Sequence, residues 1–262
     1  MRVGYVQLNP RLADVAGNLE RIERLLGVVR ADLLVLPELA TTGYALTDRE
    51  TARSLAEPIP GPSTDQLAAL AGRCGGHLVV GLAERDGERV FNSAAVLGAE
   101  GVRAVYRKAH LFLREKQIFD PGDSGFEVVE LDQLRLGVMI CFDWAFPESA
   151  GTLARRGAQL IAHPANLVLA HARRAMPVRC LENRVFAVTA NRWGEEPSPD
   201  GPLAFRGESM IIAPSGEELA VAPAAADQIN IVDIDPAAAD DKLLTPSNHV
   251  FDDRRPELYG ER

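Results

Sequence analysis

The chain lacks most of the signatures that would point to a common function class. Only three of its 262 residues are cysteine, at positions 74, 141 and 180. That odd number, at these spacings, forms neither a disulfide framework nor a metal-ligand set. Nothing stands at metal-ligand spacing from His110 or His163, so both are expected to be hydrogen-bonded structural residues. Gly75-Gly76 is not followed by Gly-Lys-Ser/Thr, which excludes a phosphate loop there. No metal and no cofactor are expected. No apolar run approaches a membrane span, and Met1–Leu8 runs into Asn9-Pro10 where a secretion signal would continue. Lysine and arginine form no dense cluster, and the net charge of −9 argues against nucleic acid or an anionic membrane as partner. The expectation is a cytoplasmic protein with reduced thiols, acting on a small molecule.

What is present is an ordinary globular composition, 47% hydrophobic and 25% charged, long enough for a substantial core in one α/β domain spanning 1–262. Arg2-Val3-Gly4-Tyr5-Val6 matches Arg135-Leu136-Gly137-Val138-Met139, and Ala31–Pro37 matches Ala158–Pro164. Further on, helix 64–73 and strand 77–83 match helix 175–183 and strand 185–190, and Asn92–Leu97 matches Glu208–Ala213. Each half therefore reads β-α-β-α-β-β. The strands are continuous apolar runs, to be buried on both faces, whereas Leu19, Ile22, Leu25 and Leu26 mark one apolar helix face. Two such halves predict a four-layer α-β-β-α sandwich with two mixed sheets and an internal pseudo-twofold. Residues 191–206 read as a surface loop, and 236–262 as a charged, extended arm.

Three chemistry-bearing residues fall at strand ends. Cys141 follows the apolar run Val138-Met139-Ile140 and precedes Pro147-Glu148, the first turn of a helix. Glu38 ends Leu33-Leu34-Val35-Leu36-Pro37, and Lys108 ends Val102–Arg107. Taken singly, they read as a buried structural thiol, a solvated carboxylate and a surface lysine. Together, thiol, carboxylate and amine at the carboxyl ends of strands are the parts for covalent acyl transfer.

Leu36-Pro37-Glu38, Arg107-Lys108-Ala109-His110-Leu111-Phe112 and Cys141-Phe142-Asp143-Trp144-Ala145-Phe146-Pro147-Glu148 resemble the three signature blocks of the nitrilase superfamily, the carbon–nitrogen hydrolases. Order and spacing agree, with Lys108 70 positions after Glu38 and Cys141 33 positions after Lys108. The resemblance implies the same sandwich and hydrolysis by a Glu38–Lys108–Cys141 triad. It also implies a tail reaching a second subunit in a homodimer or higher homo-oligomer. By the same resemblance, Glu115 orients Lys108 or the substrate, and Glu182 supports the site from behind. A nearby ammonium and helix-end dipoles are expected to favour the Cys141 thiolate. Tyr44, Phe142, Trp144 and Asn166 are candidates for lining the substrate pocket, while Arg173 and Arg174 could clamp a carboxylate. Cys141-Phe142-Asp143 lacks the Cys-Trp-Glu of typical true nitrilases, which places a small amide ahead of a nitrile as substrate. Acyl transfer to an amine and a non-catalytic binding protein on the same fold are the rival readings.

Overall fold

The computed structural model describes residues 1–169 and 171–259. The first half supplies β1 (Arg2–Gln7), α1 (Val15–Leu26), β2 (Leu33–Val35), α2 (Arg49–Leu55), α3 (Pro62–Cys74), β3 (His77–Asp86), β4 (Arg89–Gly98) and β5 (Gly101–Arg107). A short helix α4 (Glu115–Ile118) leads to the second half. There follow β6 (Val128–Leu131), β7 (Leu134–Val138), α5 (Pro147–Arg155), β8 (Leu160–Ala165), α6 (Ala172–Asn183) and β9 (Phe186–Asn191). Then come β10 (Trp193–Glu196), β11 (Leu203–Arg206), β12 (Met210–Ile212), β13 (Glu218–Val221) and β14 (Gln228–Asp233). Local chemistry sets the helix starts. The Asp14 side chain accepts from Gly17 N at 3.0 Å to cap α1, and proline opens α3 and α5 at a position where no N–H is needed.

Two six-stranded mixed sheets result, ordered β14-β1-β2-β3-β4-β5 and β13-β12-β9-β8-β7-β6. In each, the first three strands of a half run parallel and the flanking strands run antiparallel. The expected repeat is therefore real, with one feature that the sequence reading did not anticipate. β6 follows the last strand of the first half but pairs with β7 in the second sheet. β14 follows the second half but pairs with β1 in the first. Each half is thus followed by one strand that joins the other half's sheet.

Alternation along the strands makes the four layers. Leu33 and Val35 face the same inter-sheet core as Val138, Leu160, Val188 and Ile211. Leu34 and Leu36 face outward onto Leu19, Ile22 and Leu26 of α1 and Leu67 and Leu70 of α3. On the other side Ile161, Met210 and Ile212 meet Leu153 of α5 and Met176 and Cys180 of α6. β2 packs across the interface against β8 and β9, so the carboxyl ends of the two central parallel strands lie together. Among the described residues no helix is long and apolar enough to cross a membrane.

Two expectations need correction. Residues 191–206 are not a plain surface loop: β10 and β11 form a hairpin, and Arg192, just before it, and Glu196, at the end of β10, are buried. Nor is the tail featureless. Asp240 accepts from Gln159 Nε2 at 2.9 Å, and Lys242 Nζ donates to the carbonyls of Asn183 (3.0 Å) and Arg184 (2.8 Å), pinning 236–242 to its own subunit. Beyond this, Leu243, Leu244, Leu258 and Tyr259 are exposed; residues 260–262 lie outside the described residues.

Two glycines let backbone pass behind the strand ends. A Cβ on Gly81 of β3 would stand 2.4 Å from Glu38 Cα, and one on Gly122 would stand 2.1 Å from the Arg107 carbonyl oxygen and 2.7 Å from that of Lys108. Side chains are excluded there because the backbones carrying Glu38 and Lys108 occupy the space. Gly81→Ala is accordingly expected to cost about 1–3 kcal/mol by overpacking, or about 2–4 °C of Tm per kcal/mol for a chain of this size. Thermal melts check this, and an unchanged Tm would contradict the close approach.

Candidate active site

Lys108 follows β5, where its N–H donates to the Asn92 carbonyl at 2.8 Å and its own carbonyl accepts from Gly122 N at 2.9 Å. Its ammonium is fully buried and donates to Glu38 Oε1 at 2.6 Å and to Glu115 Oε1 and Oε2 at 2.8 and 2.7 Å. A desolvated ammonium is tolerated only with such partners. Burial, the largest single influence, pulls its pKa down. The charges of Glu115 and then Glu38 oppose this, and Lys108 lies above the usual lysine range. Glu115 sits at the start of α4; burial raises its pKa, which the Lys108 charge opposes. Tyr44 OH donates to Glu115 Oε1 at 2.6 Å, and Asn92 Nδ2 to Glu38 Oε1 at 2.7 Å. Among the described residues, the buried Glu38 Oε2 has no hydrogen-bond partner.

Cys141 opens a short 3-10 turn, Cys141–Ala145, between β7 and α5. Its φ of +40° is a conformation that non-glycine residues rarely adopt. The turn is held from three sides. Asp143, fully buried, accepts from Ile140 N (2.8 Å) and Tyr106 OH (2.8 Å) on one oxygen, and from His110 Nδ1 (2.7 Å) and His110 N (3.2 Å) on the other. The Cys141 carbonyl lies 2.9 Å from His163 Nε2. Because a carbonyl only accepts, Nε2 carries the proton, and Nδ1 accepts from Thr189 Oγ1 at 3.0 Å. Burial lowers the His163 pKa, consistent with a neutral ring. Both histidines are thus structural, as expected.

The Cys141 sulfur lies within electrostatic reach of Glu38, Lys108 and Glu115. Burial, and then the Glu38 carboxylate, push its pKa well above the usual thiol range against the pull of Lys108. Lys108 favours the thiolate as expected, but desolvation and the two carboxylates outweigh it, so the balance favours the thiol. Asn166 ties the sheets together, its Nδ2 donating to the Glu38 carbonyl at 2.9 Å. Phe112, Phe142, Trp144, Asn166, Leu167 and Val168 line a cavity at Cys141.

The structure thus gathers Glu38, Lys108, Glu115 and Cys141 into one buried cluster, with Phe142, Trp144 and Asn166 on the cavity wall. Tyr44 sits on the far side of Glu115. Arg173 is not free to clamp a substrate carboxylate, since it pairs with Glu218 at 2.9 Å, and Arg174 is exposed. Glu182 is exposed on α6 and pairs at 2.9 Å with Arg179, whose Nε in turn donates to the Trp144 carbonyl at 3.3 Å, so it reaches the cavity wall only through that arginine. Sequence reading missed Asn92, Asp143 and the buried Arg192–Glu196 pair. The available signal was a polar residue inside an apolar run, as with Asn92-Ser93 within Val90–Leu97.

Among the described residues no group of His, Cys, Asp and Glu is arranged to hold a metal. Comparison with known proteins shows the family. A protein from Pyrococcus abyssi named nitrilase is 46% identical, covering 99% of this chain and 99% of its own length. An (R)-stereoselective amidase from Pseudomonas sp is 33% identical, covering 84% and 80%. A solved point mutant of the amidase of Nesterenkonia sp. AN1 superposes with a TM-score of 0.79 at 26% identity, covering 98% and 95%. It carries the acetamide moiety of fluoroacetamide covalently on its active-site cysteine. Residues 2–241 match the carbon-nitrogen hydrolase family as a whole. The chain belongs to the carbon-nitrogen hydrolase family.

Proposed function

We propose that this protein hydrolyses a small amide to a carboxylate and ammonia through a thioester on Cys141. The observation that carries the reading is the buried Lys108 ammonium, 2.6 Å from Glu38 and 2.7 Å from Glu115, beside a thiol in a strained turn. Glu38 Oε2, without a partner, takes the thiol proton as the sulfur attacks the carbonyl carbon. The two Glu115 oxygens share one N–H of the ammonium and Glu38 takes a second; the third, with the backbone N–H of Phe142, holds the oxyanion. One such donor is worth about 3 kcal/mol of transition-state stabilisation. As the tetrahedral adduct collapses, the carbon–nitrogen bond breaks and Glu38 returns the proton to the departing nitrogen as ammonia. Glu38 next takes a proton from water, which attacks the thioester. The carbon–sulfur bond breaks and the sulfur recovers its proton. One carboxylate serves both half-reactions.

The relatives support an amide, through the two amidases, and a nitrile as second reading, through the 46% identical nitrilase. A nitrile would meet the same sulfur and pass through a thioimidate before the same thioester. A reducing compartment fits the chemistry, which needs the free, buried Cys141. A homodimer or higher homo-oligomer is proposed from the exposed Val178 and Leu181 of α6 and the exposed Leu243 and Leu244 of the tail.

Ammonia release from a panel of aliphatic amides, ω-amides, carbamoyl compounds and nitriles tests the reading. Turnover of small amides is expected, and no release from any compound would contradict it. Cys141→Ala should abolish turnover with the fold intact by circular dichroism. Lys108→Ala should lower kcat by about a hundredfold or more, the cost of a lost oxyanion donor; a variant keeping most of its activity would remove Lys108 from that role. The raised thiol pKa also sets the pH profile. Cys141 stays protonated as pH passes through the ordinary thiol range, so kcat/KM should show no thiol-ionisation step near about pH 8–9. A step there would contradict the protonated resting state.

A further inference from the structure

The hairpin β10–β11 carries a buried ion pair that the proposed chemistry does not use directly. Arg192, fully buried, donates to Glu196 Oε1 and to Asn9 Oδ1, and to the Pro10 carbonyl at 3.1 Å. Its guanidinium lies 4.1 Å from the centroid of the Phe205 ring, which meets the Tyr44 ring edge-on at 5.8 Å. The other Glu196 oxygen accepts two backbone N–H groups, those of Tyr44 (3.0 Å) and Ala45 (2.7 Å). The turn is seated closely enough that a Cβ on Gly43, whose φ is +76°, would come 2.8 Å from Glu196 Oε1.

A buried ion pair is weak as a source of stability, because desolvation of both charges offsets their attraction. What this pair does is geometric. Glu196 fixes the backbone of Tyr44, Tyr44 OH holds Glu115 at 2.6 Å, and Glu115 holds Lys108 at 2.7 and 2.8 Å. Glu115 has both oxygens on Lys108, so its own placement depends on the tyrosine.

We propose that Arg192 and Glu196 are positioning residues, clamping the 43–45 turn so that Tyr44 and Glu115 aim Lys108 at the developing oxyanion. This rests on the amide-hydrolysis reading above. Misplacing a reacting group by about 1 Å can cost roughly a hundredfold in rate without a matching loss of binding.

The test is steady-state kinetics on whichever amide the wild type turns over. Glu196→Gln should lower kcat by about tenfold to a hundredfold with KM within about threefold. Glu196→Gln leaves a buried guanidinium without its counter-charge. If it fails to fold, Arg192→Met combined with Glu196→Leu removes both charges together and should show the same split. Tyr44→Phe loses only the hydroxyl and should also lower kcat; adding it to the clamp variant should cause little further loss, since both act through Glu115. Full kcat in a folded clamp variant or in Tyr44→Phe, or losses that multiply on combination, would overturn the proposal. An inactive wild type would instead contradict the functional reading itself.

Discussion

The site is organised by one constraint: a lysine ammonium taken wholly out of water must be surrounded by acceptors. Lys108 meets that requirement with two carboxylates from distant parts of the chain, Glu38 after β2 and Glu115 at the start of α4. Burial first, and then the same two carboxylates within reach of Cys141, favour its thiol form. A resting thiolate would add a further negative charge to a dry site, whereas a thiol with an adjacent unpartnered carboxylate oxygen keeps the proton ready for transfer. Nucleophile, base and cation therefore have to be considered as one charge system.

The architecture delivers those groups without long loops. Glu38 and Asn166 lie at the ends of β2 and β8, the equivalent central strands of the two halves, and hydrogen-bond to each other across the pseudo-twofold. Lys108 and Cys141 come from β5 and β7, and their backbones are joined by Asp143, which ties His110 and Tyr106 to the turn carrying the sulfur. The exchange of β6 and β14 binds each half to the other's sheet, so the relative position of the two sheets is set by backbone ladders as well as by the apolar core. In this way a fold-level symmetry becomes ångström-level placement of side chains.

Much of this was legible before any coordinates. Apolar runs ending in Glu38, Lys108 and Cys141 mark chemistry at strand ends, and the matched segments of the two halves foretell the layers. What was hidden depends on contacts between residues remote in sequence. β6 and β14 are short strands whose partners are chosen by tertiary packing, not by their own letters. Asp143 reads locally as one acidic residue in an aromatic turn, and its role exists only because Tyr106 and His110 arrive beside it. Arg192 and Glu196 look like loop charges until the hairpin closes over Tyr44. The balance at the thiol was hidden for the same reason: the letters show a nearby lysine but not how dry its surroundings are.

The central claim, that carboxylate, ammonium and thiol act together on one sulfur-bound acyl group, is tested most directly by mass spectrometry of the enzyme quenched during turnover of a small aliphatic amide. The expected result is a mass gain of one acyl group on the peptide containing Cys141, absent when that residue is replaced by alanine. An acyl group on Cys74 or Cys180, or ammonia release with no acylated protein at any quench time, would contradict it.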